Sequence, residues 1–343
     1  MNKFKFYFIL LITSITIFSC SKNNNEETVV EPLRDYQTQY NTDIADIEEY
    51  LKTNYITVTN APGQTSDQDV VISKITDATT QVSIMSYTSN AYVGSTVFPQ
   101  LWNRIVKQND IEYKLYYLVL REGMGEFPCN SDNILIAYKG DYLSRQTVSD
   151  VTTLSTTFFE EIKFPQGMLD LSGIDLMASG GDLIKGWKEI IPQFKTGTYT
   201  SNSDGTLSHK DFGAGVMFIP SGLGYYTSYR SIPAYTPLIF SFKLYEIQRL
   251  DHDGDGIPDF QEDLDGDRYM PYISELKKGI AIADDTDSDG IPDFYDVDDD
   301  GDKYTTKLEI KNPTTGLPYP FANIPNCGSG TGKKIHLEPT CHP

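Results

Sequence analysis

Residues 251–262 read Asp-His-Asp-Gly-Asp-Gly-Ile-Pro-Asp-Phe-Gln-Glu. Carboxylates stand at positions 1, 3, 5, 9 and 12 of this run, and glycine stands at position 6. A hard cation such as calcium takes six to eight oxygens, and this is the spacing of a calcium-binding loop. Asp251, Asp253, Asp255 and Asp259 supply single oxygens in this reading. The carbonyl near Ile257 adds another, and Glu262 closes the shell with two. Gly256 permits the sharp turn. Without a cation the carboxylates repel one another, which argues against a plain solvated acidic linker.

The pattern recurs. Asp255-Gly-Ile-Pro-Asp-Phe260 returns 34 residues later as Asp289-Gly-Ile-Pro-Asp-Phe294. This second copy offers Asp285, Asp287, Asp289, Asp293 and Asp296 in the same register. Each copy runs on into a further acidic stretch. One holds Asp298, Asp300, Asp302 and Glu309, with Lys303 where glycine is usual. The other holds Asp263, Asp265 and Asp267, with Arg268 at the glycine position and Glu275 one place late. The cation expected in these loops is structural calcium, and no cofactor is expected for catalysis.

Residues 251–309 carry 20 acidic and five basic side chains, a net −15 of the chain's −20. The acidity is therefore one segment's property. It argues against nucleic acid as a partner, because phosphate binding needs a basic patch. The remaining composition, 39% apolar and 12% aromatic, is enough for a buried core in a chain of 343 residues.

The first 19 residues read as an export signal. Lys3 and Lys5 precede an apolar run from Phe6 to Phe18, too short to span a bilayer. The run ends Ile-Phe-Ser-Cys20 and resembles a bacterial lipobox, which implies cleavage before Cys20 and lipid on its thiol. The alternatives are a plain signal peptide with an incidental cysteine, or a buried apolar helix. A polar tether over 20–36 favours lipidation. The expected location is the cell envelope, lipid-anchored at the outer membrane and facing either the periplasm or the surface. In an oxidising compartment Cys327 and Cys341 are expected to form a disulfide. A zinc site with His336 and His342 matches no common ligand spacing. Cys129 is left over.

Between these ends the periodicity changes. Tyr40, Ile44, Ile47, Tyr50 and Leu51 recur at helical spacing, which predicts an amphipathic helix over 37–54 that packs on the following domain. Residues 55–110 mix strand-like alternation with turns and suggest no function. Strands are expected over 113–120, 133–140, 213–220 and 238–250, with one helix at about 182–194. That is an α+β layout with an antiparallel sheet.

Four blocks in this region carry a family resemblance. They are Ile136-Ala-Tyr138-Lys-Gly140, then Leu183-Ile184-Lys-Gly186-Trp187 running to Phe194-Lys-Thr-Gly197, then Phe218-Ile-Pro220-Ser-Gly-Leu-Gly-Tyr225, and Ile232-Pro233 followed by Leu238-Ile-Phe240-Ser-Phe-Lys-Leu244. In this order, residues 112–250 resemble the FKBP-type peptidyl-prolyl cis-trans isomerases, including gliding-associated isomerase lipoproteins of Bacteroidetes-like bacteria. The resemblance implies an antiparallel sheet wrapped on one short helix and an aromatic bowl floored by Trp187. Tyr138, Phe159, Ile184, Tyr225, Ile232 and Phe240 would be its walls, with Glu160 beside Phe159. The Ile184 amide and the Tyr225 hydroxyl would hold substrate carbonyls. Clients would be proline-containing segments of exported proteins; the alternative is a non-catalytic module that binds or adheres to such segments.

The sequence departs from the pattern at Ile174 and Tyr226, where an aromatic and a glycine are usual. It also carries an insertion over 198–211. The acidic segment resembles thrombospondin type-3-like calcium repeats. It is expected to form a calcium-loop stalk over 251–310, joined to the isomerase-like domain at one strand end, with a tail over 311–343.

Overall fold

The computed structural model describes residues 32–88, 97–173, 183–328 and 330–342. The expected signal peptide, Cys20 and Ile174 lie outside these residues. Tyr36–Pro343 form one compact unit.

The unit opens with helix α1 (Tyr36–Thr53) and a hairpin of β1 (Asn54–Val58) and β2 (Val70–Lys74). Strands β3 (Gln100–Gln108), β4 (Ile111–Arg121), β5 (Asn133–Val148), β6 (Val151–Ile162) and β7 (Leu169–Asp170) follow. Helix α2 (Lys185–Ile190) comes next, then the small hairpin β8 (Thr198–Ser201) and β9 (Leu207–Lys210). Strands β10 (Gly213–Ile219) and β11 (Leu238–Gln248) complete the sheet, and a one-turn helix α3 (Thr306–Glu309) lies in the acidic region.

The main sheet runs β3-β4-β10-β11-β5-β6, every neighbour antiparallel, with β7 paired to β5. The four expected strands are β4, β5, β10 and β11. Strands β3 and β6 are its outer members; apolar side chains stand on their exposed positions too, Ile105 on β3 and Val151, Phe158 and Ile162 on β6, so neither strand shows a clean apolar-polar alternation. The 198–211 insertion is the exposed β8–β9 hairpin.

Side chains alternate across a strand, and here both faces are covered. Tyr113, Leu115, Tyr117 and Val119 of β4 face α2, where they meet Ile190, Ile191 and Phe194 together with Met217 and Phe242. Tyr116, Leu118 and Leu120 face the other way, with Val216 and Phe218, and meet Ile47, Tyr50 and Leu51 of α1. The sheet therefore sits between two helices. Helix α1 also reaches the loop after β10. The buried Asp43 carboxylate accepts Ser221 N–H at 2.8 Å and Ser221 Oγ–H at 2.6 Å. Burial is the main reason its pKa stands at about 6.

The acidic region is not a stalk meeting the sheet at one strand end. Arg249 binds Asp132 at 2.5 Å and stacks over Phe260. Asn130 donates to the Met270 carbonyl at 2.9 Å, and Met270 N–H returns to Asn130 Oδ1 at 2.7 Å. Phe294 and Met270 bury against Cys129, with Phe260 beside them. Lys188 lies over the Tyr272 ring. The apolar residues of the repeats, Phe260 and Phe294 among them, need a surface to bury on, and the β4–β5 loop supplies it. The tail is closed by a Cys327–Cys341 disulfide.

Candidate functional site

Two constellations carry chemistry: an aromatic cage on α2 and the carboxylate loops. The cage is built edge to face. Trp187 lies 5.0 Å from Tyr138 and 5.2 Å from Phe240, ring centre to ring centre, with both pairs close to perpendicular. Phe159 meets Phe240 at 5.6 Å and 89°. Such geometry sets each ring's positive edge against a neighbour's negative face.

Sheet irregularity places Phe159. Gly140 pairs with Glu160 and Asp141 pairs with Phe158, so Phe159 is the extra residue of a β-bulge. Its ring turns inward, whereas Phe158 is 55% exposed. Gly140 makes room for this. A Cβ there would stand 2.5 Å from Phe159 Cζ and 2.9 Å from Phe240 Cε1.

Tyr138 donates its hydroxyl to Glu160 Oε1 at 2.5 Å, and Arg230 approaches Glu160 Oε2 at 3.3 Å. Burial, then the bond to Glu160, holds the Tyr138 phenol far above its ordinary pKa. Tyr225 stacks on Tyr229 at 4.1 Å, and burial raises its pKa to about 12. Both phenols stay protonated at neutral pH and can donate. Tyr226 occupies the usual glycine position with φ +56°, its ring stacked on Tyr36.

Trp187 is 3% exposed, and Phe240 and Ile232 are buried as well. Ile184 and Tyr225 reach a groove of about 1430 Å³. Its other walls include the β3–β4 turn and the repeat residues Tyr272–Glu275, Pro292, Phe294 and Tyr295. All eight residues expected from the resemblance thus belong to one neighbourhood, with Ile184 and Tyr225 at its open edge. The repeat residues lining the groove were not expected.

The four acidic loops share one geometry. Position 6 has positive φ in each: Gly256 +107°, Arg268 +68°, Gly290 +96° and Lys303 +82°. The N–H at position 6 returns to the first aspartate in every loop: Gly256 to Asp251 and Gly290 to Asp285 at 3.2 Å, Arg268 to Asp263 at 2.8 Å, Lys303 to Asp298 at 3.0 Å. Left-handed backbone at Arg268 and Lys303 costs energy, so the fold imposes the turn where sequence does not favour it.

Ligand atoms of Asp251, Asp253 and Asp255 lie within 4.8 Å of one another, as do those of Asp285, Asp287 and Asp289, and those of Asp298, Asp300 and Asp302. Asp263 and Asp265 gather with Asp284 instead of Asp267, which approaches Arg104 at 3.8 Å. Asp259 and Asp293 serve the loop itself. Asp259 accepts His252 N–H at 2.9 Å, and Asp293 accepts Thr286 N–H and Oγ–H, both at 2.8 Å. Asp296 accepts Asp298 N–H at 3.0 Å.

Glu262 and Glu309, at position 12 of the first and last loops, are buried with neither carboxylate oxygen hydrogen-bonded. Burial, and then Asp299, pushes Glu262 up to about 12; burial, and then Asp300, pushes Glu309 to about 8. Oxygen-only donors, buried and short of hydrogen bonds, fit a hard cation such as calcium. Asp284 and Asp299 were not expected here. The signal for them is alternation: each stands next to a loop aspartate whose side chain points the other way.

The chain resembles known proteins in two places. Residues 252–334 match the family described as BamM C-terminal. A peptidyl-prolyl cis-trans isomerase from Pseudomonas syringae pv. tomato is similar at 19% identity, over 39% of this chain and 76% of that one, with TM-score 0.26. FkpA from Escherichia coli is similar at 22% identity, over 42% of this chain and 51% of that one, with the same TM-score of 0.26. This chain therefore spans about half of the FkpA chain. No curated protein matches.

Proposed function

We propose that this chain is a lipid-anchored prolyl cis-trans isomerase of the bacterial cell envelope, with calcium-holding acidic repeats packed on its catalytic domain. The observation that carries the reading is the cage of Trp187, Tyr138, Phe159 and Phe240, with Ile184 and Tyr225 at its groove. The four FKBP-like sequence blocks carry all of these residues except Phe159.

Prolyl isomerisation needs no covalent chemistry. The barrier to rotation about a peptide bond is about 18–20 kcal/mol and comes from amide resonance. A twisted amide has lost that resonance and much of its charge separation, so a dry apolar wall favours it over the planar form. In this reading the Trp187 face supports the proline ring. The Tyr225 hydroxyl and the Ile184 amide hold flanking carbonyls, and Glu160 holds the Tyr138 hydroxyl in place. The client is a proline-containing segment lying in the groove. The lipobox at Cys20 and the match of 252–334 to the BamM C-terminal family support an outer-membrane setting. Calcium in the loops would neutralise a segment that carries most of the chain's negative charge.

The test is exchange of a short prolyl peptide. Faster cis-trans exchange supports the isomerase. Binding without faster exchange leaves a module that only captures such segments.

A further inference from the structure

Asp298, Asp299 and Asp300 are consecutive, and their side chains separate. Asp298 and Asp300 join Asp302 in the last loop, whereas Asp299 turns to the first loop. Its carboxylate lies with those of Asp253 and Glu262, ligand atoms within 4.8 Å of one another. In a linear loop counted from Asp298, Asp299 stands at position 2, which supplies no ligand. Its direction therefore needs another cause.

Glu262 is the independent observation. It is 3% exposed, it points into this cluster, and neither of its oxygens has a hydrogen-bond partner. The neighbouring cations are engaged elsewhere. Lys307 Nζ donates to the Gly254 carbonyl at 2.8 Å, and His252 Nδ1 is held by Asp259 at 2.5 Å. Beside Asp299, the Thr306 hydroxyl accepts the Asp299 N–H at 3.2 Å. Three carboxylates brought together out of water repel strongly, and burying an uncompensated charge is expensive. A divalent cation removes both costs at once.

We propose that Asp253, Glu262 and Asp299 hold a hard divalent cation, of the calcium class, at a joint between the first and last acidic loops. The inference rests on the calcium reading of the loops and adds a ligand that their linear pattern does not contain. Bound there, the ion ties together residues 46 positions apart in the chain and closes the two intervening loops into one ring. Calcium would then set the tertiary arrangement of the repeats as well as fill each loop.

The test is calcium titration by calorimetry into the chelator-treated full chain, for wild type and Asp299→Asn, with thermal midpoints in both states. The joint predicts that Asp299→Asn loses one site or weakens it roughly tenfold or more. It also predicts opposite shifts in midpoint. The variant melts higher than wild type without calcium, because one carboxylate of the crowded, buried cluster is gone, and lower than wild type with calcium. Equal stoichiometry and affinity in both proteins would overturn the joint while leaving the loops intact. A variant that melts higher in both states would mean that the cluster holds protons in place of a cation, and would also overturn it. If wild type shows no calcium heat, the loop reading itself fails and the joint falls with it.

Discussion

The Lys185 ammonium, in the first turn of α2, is held by the Glu275 carboxylate of the acidic segment. Trp187 follows two residues later on the same short helix. The helix that carries Trp187 is thus tied to the repeats, and Arg104 braces it further through Glu189 at 2.7 Å. Removing calcium should therefore lower the melting point of sheet and repeats together. Differential scanning calorimetry of the full chain, with and without chelator, should show a single shifted transition. Two separated transitions, the upper one unmoved by chelation, would show that the segments are independent.

Glu275→Gln probes the same link without touching a loop carboxylate. Lys185 keeps a second partner in Glu189 at 3.3 Å, so the loss should be modest. A charge-assisted hydrogen bond at a partly buried site contributes about 1.5–3 kcal/mol, and half of that is the expected cost. Urea unfolding measures it.

Gly140→Ala should be more damaging than its single methyl suggests. The new Cβ meets Phe159 and Phe240 at distances that real Cβ atoms do not show. Overpacking of this kind costs about 1–3 kcal/mol. It should also expel Phe159 from the cage, so peptide binding should weaken together with stability. Unchanged binding would mean that Phe159 is not a wall.

Within the cage, Trp187→Leu should lower activity and cost about 2–3 kcal/mol of stability, since it leaves a cavity under Phe240 and Tyr138. Tyr225→Phe is the milder change, because stacking on Tyr229 survives loss of the hydroxyl. If that hydroxyl holds a substrate carbonyl, the loss is about 1 kcal/mol of transition-state stabilisation, a severalfold fall in exchange rate.

Without calcium, stability of the acidic region should fall as pH rises. In the folded chain Asp253 and Glu309 are raised to about 8, and Asp293 to about 7, in each case chiefly by burial. The unfolded chain titrates near the ordinary carboxylate range, so between these values the folded form holds more protons. Its advantage is complete below about pH 4 and is lost as pH rises through about 7–8. Calcium should reverse the trend, because the cation competes with those protons and binds better as pH rises. Thermal midpoints from pH 4 to pH 9, with and without calcium, would show the two slopes.

Parts of this organisation were legible in the sequence. The four apolar strands could be placed because their alternation is a local signal, whereas the residues around Trp187 were named only through the resemblance of four ordered blocks. The loop register was legible from Asp251, Gly256 and Glu262. Strands β3 and β6 were not, since exposed apolar residues such as Ile105, Val151 and Phe158 blur their alternation and their pairing is set by β4 and β5. The bulge that selects Phe159 over Phe158 depends on cross-strand register, which neither residue encodes alone. Docking of the repeats rests on Asn130, Lys185 and Arg249, polar residues far from their partners in sequence. Asp299 was hidden inside a run of three aspartates, where only backbone direction separates one ligand set from another.

The central claim is catalysis at the cage, and exchange spectroscopy on a short prolyl peptide with the calcium-loaded full chain tests it most directly. The account predicts that substoichiometric wild-type protein speeds cis-trans exchange, that Tyr225→Phe does so severalfold less, and that Trp187→Leu is weakest. An exchange rate equal to that of the peptide alone, under conditions where the wild-type protein demonstrably binds it, would contradict the account.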